Sequence, residues 1–167
     1  MHMLIFSIMA DDKVPMTLEG KRLIDEELKH LIQVERPKVI AAIEYGRSLG
    51  DLSENADYSA AKERQGFVEG RIQEINAKLA RAEVIDTANT KSDKIVFGAT
   101  VTFEDQDSGV TTTYTIVGVD EADLKKQKIG ISSPLARAFI GKKEGDEVQV
   151  VAPKGTFTYV INSIVYK

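Results

Sequence analysis

Three carboxylates, Asp51, Glu54 and Asp57, crowd into the segment Gly50-Asp51-Leu52-Ser53-Glu54-Asn55-Ala56-Asp57-Tyr58. Carboxylates at this spacing can do either of two things. Asp51 can cap a following helix while Glu54, three residues on, reaches back to the cap amide in a variant of the capping box. The dipole at a helix start favours such charges by roughly 0.3–1 kcal/mol each. Alternatively, the cluster carries negative charge into a cavity of another molecule. Capping explains the spacing but not the place, because the segment falls between two long helical patterns, where like charges repel in isolation.

The elements that must position this cluster are legible on either side of it. On its C-terminal side, Tyr58, Ala61, Val68, Ile72, Ile75, Leu79 and Ala82 recur three and four apart, with Gln65 as the polar interruption. That is the seam of a coiled-coil helix. On its N-terminal side the buried face is read as Leu23, Leu28, Leu31, Val39, Ile43 and Leu49. Thr17 offers an N-cap with Gly20 in the first turn, and Pro37 should kink this arm or split it. An arm of about 30 residues at 1.5 Å per residue is roughly 45 Å long. Two such arms joined by a short turn must run antiparallel. The expectation is a helical finger with its tip at Asp51 to Asn55 and its root near Asp86.

From about Lys94 the pattern turns to β. Ile95–Phe103 is rich in β-branched and aromatic residues, and Asp105-Gln106-Asp107-Ser108-Gly109 is a turn cluster leading into Thr111–Val117. A second hairpin is read as Glu147–Ala152, a turn at Pro153-Lys154-Gly155, and Thr156–Val165. Between them Ser133 can N-cap a short helix with Pro134 at its first position and Gly141 at its stop. The fold class is therefore α+β in two domains. An extension covers residues 1–13, a coiled-coil hairpin domain covers 14–87, a short polar linker runs from Thr87 to Asp93, and a sheet domain with one short helix covers 94–167.

Composition closes several routes. The chain has 167 residues, of which 43% are hydrophobic and 29% charged, the balance of a globular protein. It contains no cysteine and only two histidines, His2 and His30, which excludes disulfides, thiolate chemistry and a histidine-rich metal site. The lack of cysteine suits a reducing, cytoplasmic setting. A net charge of -4 argues against gripping duplex DNA through many phosphates. The apolar run Leu4–Ala10 is too short to span a bilayer, so no membrane role is expected, and Met9 or Met16 could be alternative starts.

The acidic segment resembles the tip pattern G-D-L-x-E-N-A-E-Y of the GreA/GreB family of bacterial transcript cleavage factors, departing by Asp57 where that pattern has Glu. The similarity continues through Ala60-Ala61-Lys62-Glu63, Gln65-Gly66-Phe67, Gly70-Arg71-Ile72 and Ala82-Glu83-Val84-Ile85-Asp86. It resumes at Phe97-Gly98-Ala99-Thr100-Val101, Ile116-Val117-Gly118 and Asp120-Glu121-Ala122-Asp123, then at Ser133-Pro134-Leu135-Ala136-Arg137-Ala138, Gly141-Lys142 and Gly145-Asp146. It spans the chain from about Val14 to the C-terminus.

The resemblance implies an FKBP-like antiparallel sheet for the second domain. It also implies a monomeric transcription elongation factor whose finger enters the secondary channel of RNA polymerase and meets the extruded 3′ end of a backtracked nascent RNA. Asp51 and Glu54 would there help hold a Mg²⁺ and the attacking water at the polymerase's own catalytic centre, the factor having no cofactor and no hydrolase activity of its own. Arg47 and Lys62 would contact the RNA, against the plainer reading of solvated charges pairing with Glu44 or Glu63. Ser133 and Pro134 would dock on a coiled coil at the channel rim, and Tyr58 would buttress the tip. Two other functions stay open: a channel-binding relative that inhibits polymerase, and a peptidyl-prolyl isomerase-like binding module. The latter needs a deep aromatic pocket that the dispersed aromatics do not suggest.

Overall fold

The computed structural model describes residues 13–167. The apolar run Leu4–Ala10, Met9 and the rest of the extension up to residue 12 lie outside the described residues. The chain divides into two compact units, one of Lys21–Ala82 and one that joins Glu83–Lys167 with the residues up to Gly20. Residues 14–20, expected to open the hairpin domain, therefore belong with the sheet unit.

In the hairpin unit the first arm comprises α1 (Leu18–His30), a π-helical turn at Leu31–Glu35, and α2 (Arg36–Ser48). The second arm is one helix, α3 (Ala56–Arg81). The split in the first arm is the one expected of Pro37. Its ring has no N–H for the carbonyl of Gln33 and collides with it, and the wider π turn just ahead relieves the clash.

Between the arms Val39, Ile43, Ala61, Val68 and Ile72 are buried, flanked by Leu28, Leu31 and Tyr58. Ile75 is also fully buried. The second-arm stripe thus matches its expected face. In the first arm, Leu23 and Leu49 do not: they are 47% and 51% exposed. One extra residue in the π turn rotates α1 by about 100° against α2, so a stripe extrapolated across it goes out of phase. Ile24 and Glu27 then turn partly inward while Leu23 turns outward. Leu49 sits past the last turn of α2, where it serves only as the helix C-cap.

Charges lock the arms along their flanks. Arg36 grips Glu69 at 2.7 and 2.9 Å, Arg71 grips Glu27 at 2.6 and 2.8 Å, and Arg64 reaches Glu35 at 2.9 Å. The guanidinium of Arg71 holds the Glu27 carboxyl below the ordinary glutamate range; Arg36 does the same for Glu69, and Arg64 for Glu35. A carboxyl depressed by folding adds stability that is complete above its unfolded pKa and is lost as pH falls through the folded value. The hairpin's thermal midpoint should therefore drop as pH goes from about 5 to about 3, and drop less in high salt, since these pairs are partly open to solvent. Circular dichroism melts at two ionic strengths read this directly, and a flat midpoint would mean the pairs contribute nothing.

In the other unit β1 (Val14–Thr17) pairs with β2 (Ala82–Ile85), and five strands form the main sheet in the order β5-β4-β3-β7-β6. These are β3 (Ala99–Asp105), β4 (Thr111–Val117), β5 (Lys128–Gly130), β6 (Glu147–Ala152) and β7 (Gly155–Tyr166). The pairs match the two expected hairpins, plus a β3–β7 pairing with a register shift at Thr102/Phe103. The sheet is not wholly antiparallel, because β5 pairs parallel to β4. Three residues are too few to show a period, so no sequence pattern announced this strand.

The strand expected from Ile95 begins only at Ala99. Gly98 takes φ 89°, which breaks the extended run, and Ile95 is instead held by backbone bonds to Gly141 and Lys142 at 2.8 Å. Ala99, Val101 and Phe103 alternate onto the buried face with Ile116, Ile161 and α4 (Pro134–Phe139). On the opposite face Thr100 and Thr102 pair hydroxyls with Thr115 and Thr113 at 2.9 Å.

Two further contacts complete this unit. The Glu121 carboxylate accepts from the Thr17 amide and the Gly118 amide at 3.0 Å each and from the Thr17 hydroxyl, while the Thr17 hydroxyl oxygen caps Gly20 at 3.0 Å. Glycine at position 20 is required by this packing, since a Cβ would lie 2.3 Å from the Glu121 carboxyl carbon. The expected linker is also tied in, with a 3-10 turn at Thr87–Asn89 whose Thr87 hydroxyl donates to the Lys167 carbonyl at 3.1 Å.

Candidate functional site

The turn between the arms is built from Gly50 to Asn55. Gly50 adopts φ 108°, a conformation open to glycine and strained for other residues, and reverses the chain after α2. Leu52–Glu54 form one 3-10 turn. Asp51 caps that turn and not the long helix: its Oδ1 accepts from the Ser53 amide at 3.0 Å and the Ser53 hydroxyl at 2.8 Å. The Ser53 hydroxyl, then its amide, hold the Asp51 carboxyl below the usual aspartate range.

The N-cap of α3 is Asn55. Its Oδ1 accepts from the Tyr58 amide at 3.0 Å, and its Nδ2 donates across the turn to the Gly46 carbonyl. The expected capping box between Asp51 and Glu54 is therefore absent, because the cap lies one 3-10 turn further on. This leaves the Glu54 carboxylate exposed with no hydrogen bond or ion pair among the described residues, and Oδ2 of Asp51 likewise. Several charges along the arms are paired, whereas Glu54 on the turn is not.

Below the turn the arms meet closely. A Cβ on Gly46 would lie 2.8 Å from the Tyr58 Cα and 2.9 Å from its amide nitrogen. Backbone cannot rotate away as a side-chain end can, so Gly46→Ala should cost about 1–3 kcal/mol and force the arms apart where Asn55 bridges them. A thermal melt of the variant checks this.

Of the other expected site residues, Arg47 is exposed in the last turn of α2 and pairs with neither Glu44 nor Glu63. Lys62 is exposed and donates to Gln65 at 3.0 Å. Tyr58 is half-buried against the interhelical core, which suits a buttress. Ser133 N-caps α4 by accepting from the Ala136 amide at 3.2 Å, and the exposed Pro134 occupies its first turn. Sequence reasoning quoted Asn55 but assigned it nothing and passed over Gly46 and Ser53. An Asn directly before a helical pattern was the available signal for the first. Among the described residues no group of three or more His, Cys, Asp or Glu side chains could hold a metal ion.

Comparison with known proteins decides the family. The profile described as "Transcription elongation factor, N-terminal" matches residues 14–84, and "Transcription elongation factor, GreA/GreB, C-term" matches 89–166. The chain belongs to the GreA/GreB family of transcription elongation factors. Transcription elongation factor GreA of Hyphomonas neptunium (strain ATCC 15444) is 56% identical over 156 residues, 93% of this chain and 99% of that protein. The GreA of Syntrophotalea carbinolica is 58% identical over 153 residues, 92% of this chain and 97% of that protein. A solved GreA/GreB structure from Nitrosomonas europaea is 22% identical, covers 92% of this chain and 98% of that one, and superposes with a TM-score of 0.41, too loosely to inform the site. This GreA/GreB member has, among its described residues, no helix long and apolar enough to cross a membrane.

Proposed function

We propose that this elongation factor inserts the turn of its hairpin into the secondary channel of bacterial RNA polymerase and stimulates cleavage of a backtracked transcript. It carries no hydrolase activity of its own. Asp51 and Glu54 lend carboxylate oxygens to the polymerase's catalytic centre, and the protein acts as a monomer. A Mg²⁺ bound there would clamp the attacking and leaving oxygens of phosphodiester hydrolysis. The residues present suit such an ion: hard oxygen donors, exposed, with enough room around them for it to keep several waters.

The observation that carries this reading is that, among the described residues, Glu54 and Oδ2 of Asp51 have no hydrogen-bond or ion-pair partner, on a turn where Asn55 caps α3 and Asp51 spends only Oδ1 on the 3-10 turn. A capping box would have engaged Glu54 as well. Arg47, with no partner among the described residues, and Lys62, held among them only by a neutral Gln65, are the cations offered to the extruded RNA phosphates. Ser133 and Pro134, on a capped and therefore rigid helix start, are the proposed docking point on the polymerase.

Two rival functions fare less well. An inhibitor would be free to alter the Asp51 and Glu54 pair, which stands intact here. An isomerase-like site needs an open aromatic pocket, yet Phe103, Phe139 and Tyr159 pack on one another with ring centroids 4.9–6.3 Å apart. The deciding experiment adds the purified factor and Mg²⁺ to stalled elongation complexes carrying labelled RNA. Short 3′ fragments should be released in its presence, and their absence with cognate polymerase would reject the proposal.

A further inference from the structure

We propose that Glu121 is a positioning residue of the factor: its carboxylate pins the first turn of α1, and through that turn steadies the hairpin's tip during transcript cleavage. This rests on the reading that the tip is delivered to the polymerase's catalytic centre, and it adds what steadies it there. Glu121 closes a 3-10 turn at Val119–Glu121, directly after β4 and Gly118. Its Oε2 accepts from the Thr17 and Gly118 amides at 3.0 Å each, and its Oε1 accepts from the Thr17 hydroxyl. That hydroxyl oxygen accepts in turn from the Gly20 amide at 3.0 Å, so the cap of α1 and the clamp form one chain of hydrogen bonds. Thr17 and Gly118 are buried, and removing the carboxylate leaves both amides unsatisfied.

Thr17 and Gly20 belong with the sheet unit, yet the helix they open, Leu18–His30, runs on as the first arm of the hairpin. From Leu18 to Ser48 that arm is roughly 45 Å long, so a swing of about 3° in its first turn moves the tip by about 2 Å. A misplacement of about 1 Å at a reacting centre can lower a rate by about 100-fold. Directed hydrogen bonds from three donors resist such a swing in a way that sliding apolar contacts do not. Gly20 is the other half of the device. A Cβ there would overlap the Glu121 carboxyl group, the movable end of a flexible side chain, so a methyl would displace the carboxylate and leave the backbone in place. Glycine within a helix costs about 0.5–1 kcal/mol relative to alanine, and here it makes room for the clamp. Glu121 touches no reacting atom in this scheme and acts through α1.

Two variants break the clamp by different routes. Glu121→Ala removes the acceptor, while Gly20→Ala displaces it and raises the helix propensity of α1. In native-state hydrogen exchange on the free protein, the Thr17 and Gly118 amides should exchange about ten-fold faster or more in both variants. In cleavage assays both should lower the rate at saturating factor by about ten-fold or more, with polymerase affinity within about two-fold of wild type. The double variant should be little slower than the worse single one, because each change removes the same clamp. A slower factor with a better helix former at position 20 is a combination that a purely structural glycine does not give. Unmoved exchange in both variants overturns the assignment of Glu121. So does a loss carried by affinity instead of rate, or a wild-type rate where Asp51→Asn is inactive. Asp51→Asn cleaving like wild type would instead overturn the underlying delivery reading, and the exchange result, which needs no polymerase, keeps the two failures apart.

Discussion

Asp51→Asn and Glu54→Gln are each expected to lower factor-stimulated transcript cleavage by about 100-fold or more, with polymerase affinity within about two-fold of wild type. The magnitude is that of removing one group that stabilises charge at a reacting centre, about 2.7 kcal/mol or more of barrier. Neither variant should disturb the fold. An amide at position 51 retains an Oδ1 that can accept from Ser53, and Glu54 has no local partner to lose. With both carboxylates serving one ion, as proposed, their effects should not add: the double variant should be little worse than the more damaged single one. Fragment release from stalled complexes gives the rate, and a competition assay gives the affinity. Variants that cleave normally would remove both residues from the mechanism.

Phe139→Ala is expected to have the largest effect on stability. The ring is 0% exposed in the core of the sheet unit, with Phe103 at 4.9 Å and 64° and Tyr159 at 6.3 Å and 82°. Truncation removes this edge-to-face packing and leaves a cavity between α4 and the sheet, at a cost of about 3–5 kcal/mol. For a domain of this size that is a drop of about 15–30 °C in thermal midpoint, a large part of its total stability. The same helix carries Ser133 and Pro134 at its start, so the proposed docking point should be lost with it. Calorimetry measures the first consequence and polymerase binding the second. A variant that melts as wild type would mean that the core closes over the missing ring.

How much of this was legible in the sequence depended on whether a local pattern had to agree with distant structure. The α3 stripe was readable because its period runs from Tyr58 to Leu79 with only Gln65 interrupting it, and both strands flanking Asp105–Gly109 were readable because turn chemistry and alternation agree there. The first arm was only partly readable. Pro37 announced a break, but not that a π turn would shift the phase and expose Leu23. Gly98 stood inside an apolar run whose composition outvoted it, and neither its positive φ nor the Thr87 side chain that leaves no room for a Cβ there is displayed by sequence. The attachment of Val14–Gly20 to the sheet unit uses the β1–β2 pairing and the carboxylate of Glu121, both far away in sequence.

At the tip, the residues of interest were evident and their bonding was not. D-x-x-E spacing is compatible with a capping box, and only coordinates reveal that Asn55 takes the cap and frees Glu54. That reversal strengthens the functional reading, since the plainer use of the second carboxylate is not realised. Gly46 was invisible for the opposite reason. A glycine within a helix has no pattern of its own, and its value is the absence of an atom where Tyr58 approaches.

The central claim is that the free carboxylates of this turn complete a metal environment belonging to the polymerase. A cryo-EM map of the factor on a backtracked elongation complex with Mg²⁺ tests it most directly. The account predicts an Asp51 or Glu54 oxygen at about 2.0–2.1 Å from the catalytic ion or bridged to it by one water. A fully seated factor whose turn lies beyond the reach of any bridging water would contradict it.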